Sequence, residues 1–322
     1  MMWILNVVCI ALLTVLLSTK LFKIRFSKNI LNFVYCIFSL NLIIKLANYP
    51  INESTDAYTY QAFLTTISRM KLSEVWYFDN FELFFRYYSW IMVQFFDNNT
   101  FVVLVFITNI IIIMALYNIF EDKMLSIISI FIYTNAPLFF TMSTNIIRQA
   151  MVIALILLLL SLKSKYSKVI SIMFPFIHLS SIVFTIYFLL NKYIKVKWLL
   201  LITIISALLF ITHLNSTLFL SFGYESTYTN MTSLGVNNLK NIQGNRLDFF
   251  VLTTLVTLLA SYLYRKNQIN PYIYKYILIS SIVFYCLGFQ GFSDRLAIYN
   301  WWTLLITTPL LIKYLIGRIH SI

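Results

Sequence analysis

The stretch Thr144–Leu160 combines an apolar helix pattern with polar side chains that could take part in chemistry: Asn145, Arg148 and Gln149. Spacings of three and four residues place Asn145 on one helix face with Arg148 and Gln149. An arginine at the mouth of a membrane helix costs free energy, so we expect it to bind an anion or pair with a carboxylate. The alternative is an arginine that only extends from a helix end to the membrane surface.

Three side chains could act as the base that takes a proton from an attacking hydroxyl: Asp56, Glu82 and His178. The sequence does not rank them. Asp56 shares a side of the helix predicted over 56–70 with Tyr60, but it could equally cap that helix. His178 could instead be a buried histidine that bonds a neighbouring backbone group.

Two further arginines, Arg295 and Arg246, are candidates for phosphate binding, because a guanidinium can hold a phosphate through two parallel hydrogen bonds. Tyr299 shares a helix face with Arg295 and joins the predicted substrate-binding set. Nearby acids, Asp294 and Asp248, offer the alternative that each arginine forms only a salt bridge.

The composition predicts an all-α, polytopic membrane protein. Of the 322 residues, 60% are hydrophobic and only 11% charged, whereas a soluble domain is about a quarter charged. Mean hydropathy is +0.83. We expect a single transmembrane domain, 1–322, with about nine full spans and a re-entrant or broken helical hairpin over 169–190. The predicted spans are 2–18, 30–47, 101–119, 124–142, 147–162, 198–212, 249–264, 276–290 and 296–316.

The net charge of +13 reflects lysine-rich loops and does not require a nucleic-acid partner. These loops can all face the cytoplasm if 169–190 enters and leaves the membrane on one side. The N-terminus is then outside, the C-terminus inside, and His178 near an outer tip. The first run, 2–18, has no basic segment or cleavage site and is predicted to be a retained span.

Two long stretches, 48–100 and 213–248, are predicted as outer loops. The aromatic segment 81–96 is short for a full crossing, so we expect an interfacial or half-inserted helix, with a full span as the alternative. Arg69 and Arg86 are expected to be surface or interfacial charges.

Familiar cofactor and metal motifs are absent from the sequence, including the phosphate-binding loop, GxGxxG, HExxH and GxSxG. The histidines at 178, 213 and 320 are dispersed. We therefore expect metal-independent chemistry without a bound cofactor.

Five short motifs follow one another along most of the chain. They are Asp-x-x-x-Tyr from Asp56, Glu-Leu-Phe from Glu82, Asn-x-x-Arg-Gln from Asn145, Phe-Pro-Phe-Ile-His-Leu-Ser-Ser from Phe174 and Ser-Asp-Arg-Leu from Ser293. In this order they resemble the EpsG-like branch of bacterial Wzy-type polysaccharide polymerases. Where that family often has Glu-Pro, this chain has Glu82-Leu83.

The resemblance implies an enzyme that acts on undecaprenyl-pyrophosphate-linked repeat units at the outer face of the bacterial inner membrane. It would transfer the growing O-antigen, capsule or exopolysaccharide glycan to a sugar hydroxyl of the next lipid-linked repeat, without a nucleotide sugar. A flippase and a chain-length regulator are the implied protein partners. The alternatives are a flippase or transporter of lipid-linked saccharide, an O-antigen ligase and a membrane acyltransferase.

Overall fold

The computed structural model of the chain describes residues 2–21, 26–48, 55–78, 81–162, 166–222, 244–291 and 293–319. These residues form helices and turns and contain no β-strand, so the all-α prediction is confirmed. The chain divides into two compact units, Met1–Ile182 with Leu311–Ile322, and Val183–Leu310. The predicted single domain stays a prediction.

The first unit is organised around a short, apolar helix, α9. The buried residues of α9 lie on nearly every side of it, as is typical of a helix enclosed by others, and its most extensive packing is with α6. The helices of this unit are α1 Met2–Leu21, α2 Lys28–Ala47, α3 Thr55–Ile67, α4 Leu72–Val75, α5 Leu83–Phe96, α6 Thr100–Asn118, α7 Lys123–Asn135, α8 Pro137–Asn145, α9 Ile147–Leu162, α10 Ser167–Ser171 and α11 Phe174–Ile177.

The second unit is organised around α16, which packs against α13, α15 and α17. Its interior contains a polar network in which Asn300 Nδ2 donates to Ser281 Oγ (2.9 Å) and Ser281 bonds Thr257 (2.7 Å). The helices are α12 Ile182–Leu190, α13 Val196–Ile211, α14 Leu214–Ser221, α15 Leu247–Arg265, α16 Pro271–Leu287, α17 Asp294–Trp301 and α18 Leu304–Ile319, and the boundaries between the units fall within α12 and α18.

The predicted span 124–142 is not one helix, because α7 and α8 meet at 70°. Pro137 has no N–H to donate and disfavours helical backbone at the residue before it. Ala136 is accordingly extended, with φ −86° and ψ 114°. Lys45 donates to the carbonyl of Thr134 (2.9 Å), so a cation bonds one of the last backbone carbonyls of α7.

A second sharp turn follows the predicted span 198–212, and one other predicted span, 296–316, is interrupted. After α13 the chain turns through 98° into α14 at His213, which has a positive φ of 59°. The predicted span 296–316 is divided between α17 and α18 by a turn at residues 302–303.

The segment predicted as a re-entrant or broken hairpin, 169–190, is broken. It runs through α10, α11, a short 3₁₀ helix at Leu179–Ser181 and α12, with His178 extended (φ −156°, ψ 115°) before the 3₁₀ turn. Whether the segment re-enters the membrane stays a prediction.

Among the described residues, three helical segments are long and apolar enough to cross a membrane: Lys28–Ala47, Leu83–Asn118 and Leu247–Arg265. The count rises to five if each strongly bent pair forms one span. The structure therefore supports several apolar helices without confirming about nine full spans. The predicted helix at 81–96 is present as α5, and the 3₁₀ turn Asp97–Asn99 joins it to α6.

Candidate active site

Glu82 is the centre of a half-buried cluster in the first unit. One carboxylate oxygen, Oε2, forms an ion pair with Arg148 Nη1. The other, Oε1, lies 3.2 Å from His178 Nδ1 and accepts the backbone N–H of Leu179 at 3.0 Å. The side chains of Arg148 and His178 are each 18% exposed and that of Glu82 is 19% exposed, so the cluster is sheltered but reachable from solvent.

Each member of the cluster lies where a helix begins or is interrupted. Glu82 occupies the N-cap position of α5 but does not cap it with its side chain, which leaves both oxygens for other partners. Arg148 lies in the first turn of α9, immediately after the break at Ile146. His178 occupies the extended residue between α11 and the 3₁₀ turn.

Tyr60 connects this cluster to an aromatic layer. Its hydroxyl accepts from Arg148 Nε at 3.3 Å, and its ring stacks on Phe81 with centroids 5.6 Å apart. The guanidinium carbon of Arg148 lies 4.4 Å from the Phe81 ring centre, a cation–π distance. Phe85 and Phe101 also contact the Tyr60 ring. The arginine is therefore held in place by a carboxylate, a hydroxyl and an aromatic face.

The other candidates of the first unit lie around this cluster. Asp56 is in the first turn of α3, one helical turn before Tyr60. Gln149 is buried, with 2% exposure. The placement of Asn145 in the first turn of the Arg148 helix is wrong. Asn145 ends α8, because Ile146 leaves helical geometry (φ −104°, ψ 58°) while its carbonyl accepts the N–H of Ala150 at the start of α9.

The remaining candidates belong to the second unit. Arg246 Nε donates to Asp248 at 2.8 Å, so the salt-bridge alternative is present there, and its guanidinium carbon lies 4.2 Å from the Phe249 ring centre. Arg295 is half-buried in the first turn of α17. The Tyr299 ring is fully buried and packs on Phe184, with centroids 4.4 Å apart.

The comparison with protein families confirms the resemblance that the five motifs indicated. The model of the EpsG family matches residues 31–322, which is most of the chain. The chain belongs to the EpsG family. This family is of the Wzy-like polymerase type. Together with the apolar helices of the chain, the family indicates a membrane protein of polysaccharide biosynthesis. Searches among curated proteins and among solved structures gave no match.

The electrostatics of this EpsG-family cluster keep Glu82 ionised. Burial by itself would raise the pKa of its carboxyl, because a carboxylate loses hydration. The hydrogen bond from His178 and the positive charge of Arg148 outweigh burial and lower the pKa of Glu82 from 4.5 to about 2. An ionised carboxylate can only accept hydrogen bonds, so Nδ1 of His178 carries the proton in this contact. A neutral His178 then has an unprotonated Nε2.

Arg86 is a second residue of this region whose predicted position is wrong. Arg86 was expected at the surface, but it is 8% exposed and its Nη1 donates to the carbonyls of Val75 (3.2 Å), Trp76 (3.0 Å) and Phe78. The carbonyls of Val75 and Trp76 lie at the end of α4, where helical carbonyls need donors, and that of Phe78 follows the next turn. The four-residue spacing from Glu82, on the same helix face, was a signal that could have indicated an inward position.

Proposed function

We propose that this chain polymerises undecaprenyl-pyrophosphate-linked oligosaccharide repeat units by glycosyl transfer at the outer face of the bacterial inner membrane. Two things support the proposal: membership of the EpsG family, and one observation that carries the chemistry. That observation is the convergence of a guanidinium, a carboxylate and an imidazole, from Arg148, Glu82 and His178, in one sheltered cluster. No cofactor or metal enters this proposal.

Arg148 is the proposed ligand of the donor pyrophosphate. Its guanidinium is aligned by Tyr60 and Phe81, so little conformational freedom is lost when an anion binds. In a site with little water, such a fixed cation stabilises the charge that develops on a leaving phosphate. Arg295 and then Arg246 remain secondary candidates, and the pairing of Arg246 with Asp248 makes it the weaker of the two.

His178 is the proposed base, and Glu82 its positioning residue. With a pKa of about 2, Glu82 is a weak base and is already engaged by three donors. By accepting a hydrogen bond from Nδ1–H of His178, Glu82 directs the lone pair of Nε2 away from itself, toward an acceptor hydroxyl. Asp56, one turn from Tyr60, is the remaining alternative for the base.

The proposed reaction forms one glycosidic bond and breaks one bond to phosphate. His178 Nε2 takes the proton of a sugar hydroxyl on the incoming lipid-linked repeat, and that oxygen attacks the anomeric carbon of the donor glycan. The bond from this carbon to the pyrophosphate oxygen breaks. Undecaprenyl pyrophosphate leaves with the bonding electrons, its charge stabilised by Arg148. The glycan is thereby longer by one repeat and stays attached to the lipid of the acceptor.

The proposed topology has about nine spans, with the N-terminus outside and the C-terminus in the cytoplasm. With 19 residues at 1.5 Å each, α6 is about 28 Å long and matches the hydrocarbon core by itself. Then α5, which precedes it, extends beyond that core and presents Glu82 near the membrane surface. A flippase that delivers repeats and a chain-length regulator are the proposed partners.

The decisive experiment is Arg148→Ala in a strain whose own gene is deleted. We expect polymer to fall about 100-fold or more, since that is the effect of losing one group that stabilises transition-state charge. Arg148→Lys should recover part of the activity, because it keeps the charge and loses the second parallel hydrogen bond. Chain length on gels, together with protein amount in membranes, gives the measurement.

Arg69→Ala is the matched control, because Arg69 is exposed in the same unit. In the same assay His178→Ala should also lose polymer, while single lipid-linked repeats accumulate outside. Polymer of normal length from Arg148→Ala would refute the proposal. Polymer of normal length that fails to reach its final attachment would indicate a ligase, and repeats retained inside the cell would indicate a flippase.

A further inference from the structure

A cavity of about 290 Å³ opens in the first unit where α3 faces the junction of α5 and α6. Its size is close to the lower end of small-molecule sites, about 300 Å³. The junction is the 3₁₀ turn Asp97–Asn99, and Asp97 adopts a positive φ of 43° there. The polar part of the lining consists of Gln61, Thr65, Ser68, Asp97 and Asn98.

The lining combines planar polar side chains with apolar ones, which include the aromatic ring of Phe101. Gln61, Asp97 and Asn98 offer two amides and one carboxylate, which can bond neighbouring hydroxyls in pairs. Thr65 and Ser68 donate their hydroxyl hydrogens to backbone carbonyls, at 3.0 and 2.8 Å, so their oxygens remain acceptors.

The apolar part of the lining consists of Leu64, Val93 and Phe101, and Phe101 is 2% exposed. A sugar ring has the complementary chemistry, a rim of hydroxyls around an apolar face of C–H groups.

Other ligand classes fit this lining less well. None of the residues that line the cavity is basic, and one is a carboxylate, so a phosphate would be repelled. An acyl chain offers no hydrogen bond to the five polar side chains of the lining, which makes covering them costly. A neutral saccharide satisfies both parts of the lining.

The cavity adjoins the Glu82–Arg148–His178 cluster through Tyr60. Gln61 follows Tyr60 directly in α3, and the Phe101 ring stacks on Tyr60 with centroids 6.2 Å apart. Tyr60 in turn bonds Arg148 at 3.3 Å. A sugar in the cavity is therefore separated from the proposed pyrophosphate site by two aromatic side chains, Phe101 and Tyr60.

We infer that this cavity is a binding subsite for one sugar ring of the glycan substrate, held by Gln61, Asp97 and Asn98 over Phe101. The inference rests on the proposed function for the identity of the glycan, but its test does not depend on polymerisation. Asp97 is the main anchor, because a hydrogen bond to a charged group is stronger than one between neutral groups.

The test measures sugar binding directly. Full-length protein in lipid nanodiscs, free of glycoside detergents, is mixed with methyl glycosides of glucose, galactose and N-acetylglucosamine. Saturation transfer from protein to sugar protons is then recorded by NMR. We expect transfer above that of empty nanodiscs for at least one glycoside, and about tenfold weaker binding in Asp97→Gly and Gln61→Ala.

The controls separate binding from folding. Asp97→Gly removes the carboxylate but tolerates a positive φ, so its stability should be kept or improved. Asn99→Ala and Thr66→Val alter exposed neighbours outside the lining, and both should bind like the natural chain. Thr66 bonds the carbonyl four residues before it, as Thr65 does, which makes it a close match.

Arg148→Ala keeps the two proposals apart. It should lose polymerisation and retain glycoside binding, because it does not line the cavity. No transfer above empty nanodiscs, or equal binding by Asp97→Gly, overturns the sugar subsite whatever Arg148→Ala does to the polymer. Glycoside binding with normal polymer from Arg148→Ala supports the subsite and refutes the proposed function.

Discussion

At the scale of single residues, Glu82 is held by three contacts of different chemistry: a guanidinium, an imidazole and a backbone N–H. A carboxylate with so many donors is fixed in orientation and reluctant to accept a proton. These contacts support the proposed positioning role of Glu82 and leave His178 as the proposed base.

The low pKa of Glu82 predicts a specific acid sensitivity. Its pKa is about 2 in the folded protein against an ordinary value of 4.5, so its contacts stabilise the fold fully above pH 4.5. That stabilisation is lost as the pH falls from about 4.5 toward 2. Unfolding in detergent, followed at a series of pH values, should show this loss in the natural chain.

Glu82→Gln is the matched variant, because it keeps the shape and cannot ionise. It should be less stable at neutral pH and should lack this part of the pH dependence. An identical slope below pH 4.5 in both proteins would contradict the ionised contacts.

Much of the cluster could be predicted from the sequence, because the family motifs carry Tyr60, Glu82, Arg148 and His178 in order. Their mutual contacts could not, since the ion pair joins residues 82 and 148 from separate helices. The four-residue spacing from Glu82 could indicate an inward position, but it does not identify the partners of Arg86. Its partners are backbone carbonyls, which leave no trace in side-chain composition.

At the scale of elements, the side chains of the Glu82–Arg148–His178 cluster lie at interruptions or ends of helices. Ile146 separates α8 from α9, His178 follows α11, and Glu82 begins α5. Pro137 indicates one break, although 124–142 was predicted as a single span, whereas the break at Ile146 has no proline or glycine to indicate it. That is why the sequence pattern predicted Asn145 to lie in the same helix as Arg148.

Arg86 is expected to stabilise the turn that follows α4. Arg86→Met keeps much of the side-chain length but removes the donors to three carbonyls, which should cost about 2–3 kcal/mol in the free energy of unfolding. Arg69→Met at an exposed site should cost less than about 0.5 kcal/mol. Denaturation in mixed SDS micelles measures both variants, and equal losses would contradict the buried role.

At the scale of the whole molecule, hydropathy predicted a helical membrane protein correctly but did not fix the number of crossings. A window of apolar residues cannot distinguish a straight span from two helices that meet at 70° or 98°. The predicted outer loop 213–248 lies largely outside the described residues, which omit 223–243.

The proposed topology is tested by cysteine labelling. In a chain from which Cys9, Cys36 and Cys286 have been removed, single cysteines replace the exposed Tyr166 and Tyr193. If 169–190 returns to the side from which it entered, a membrane-impermeant reagent applied outside intact cells should label neither residue, and permeabilised cells should label both. Labelling of one residue from outside would refute the re-entrant segment and the assigned orientation.

The ion pair between Glu82 and Arg148 limits which anions can bind to Arg148. A carboxylate fixed beside the guanidinium acts as a tethered competitor whose local concentration far exceeds that of dissolved anions. Free phosphate must displace this carboxylate from dilute solution, whereas the proposed lipid-linked diphosphate is already concentrated at the membrane. Selectivity for the proposed lipid-linked donor would then come from the Glu82 carboxylate, which a diphosphate held at the membrane can displace from Arg148 more readily than a dissolved anion can.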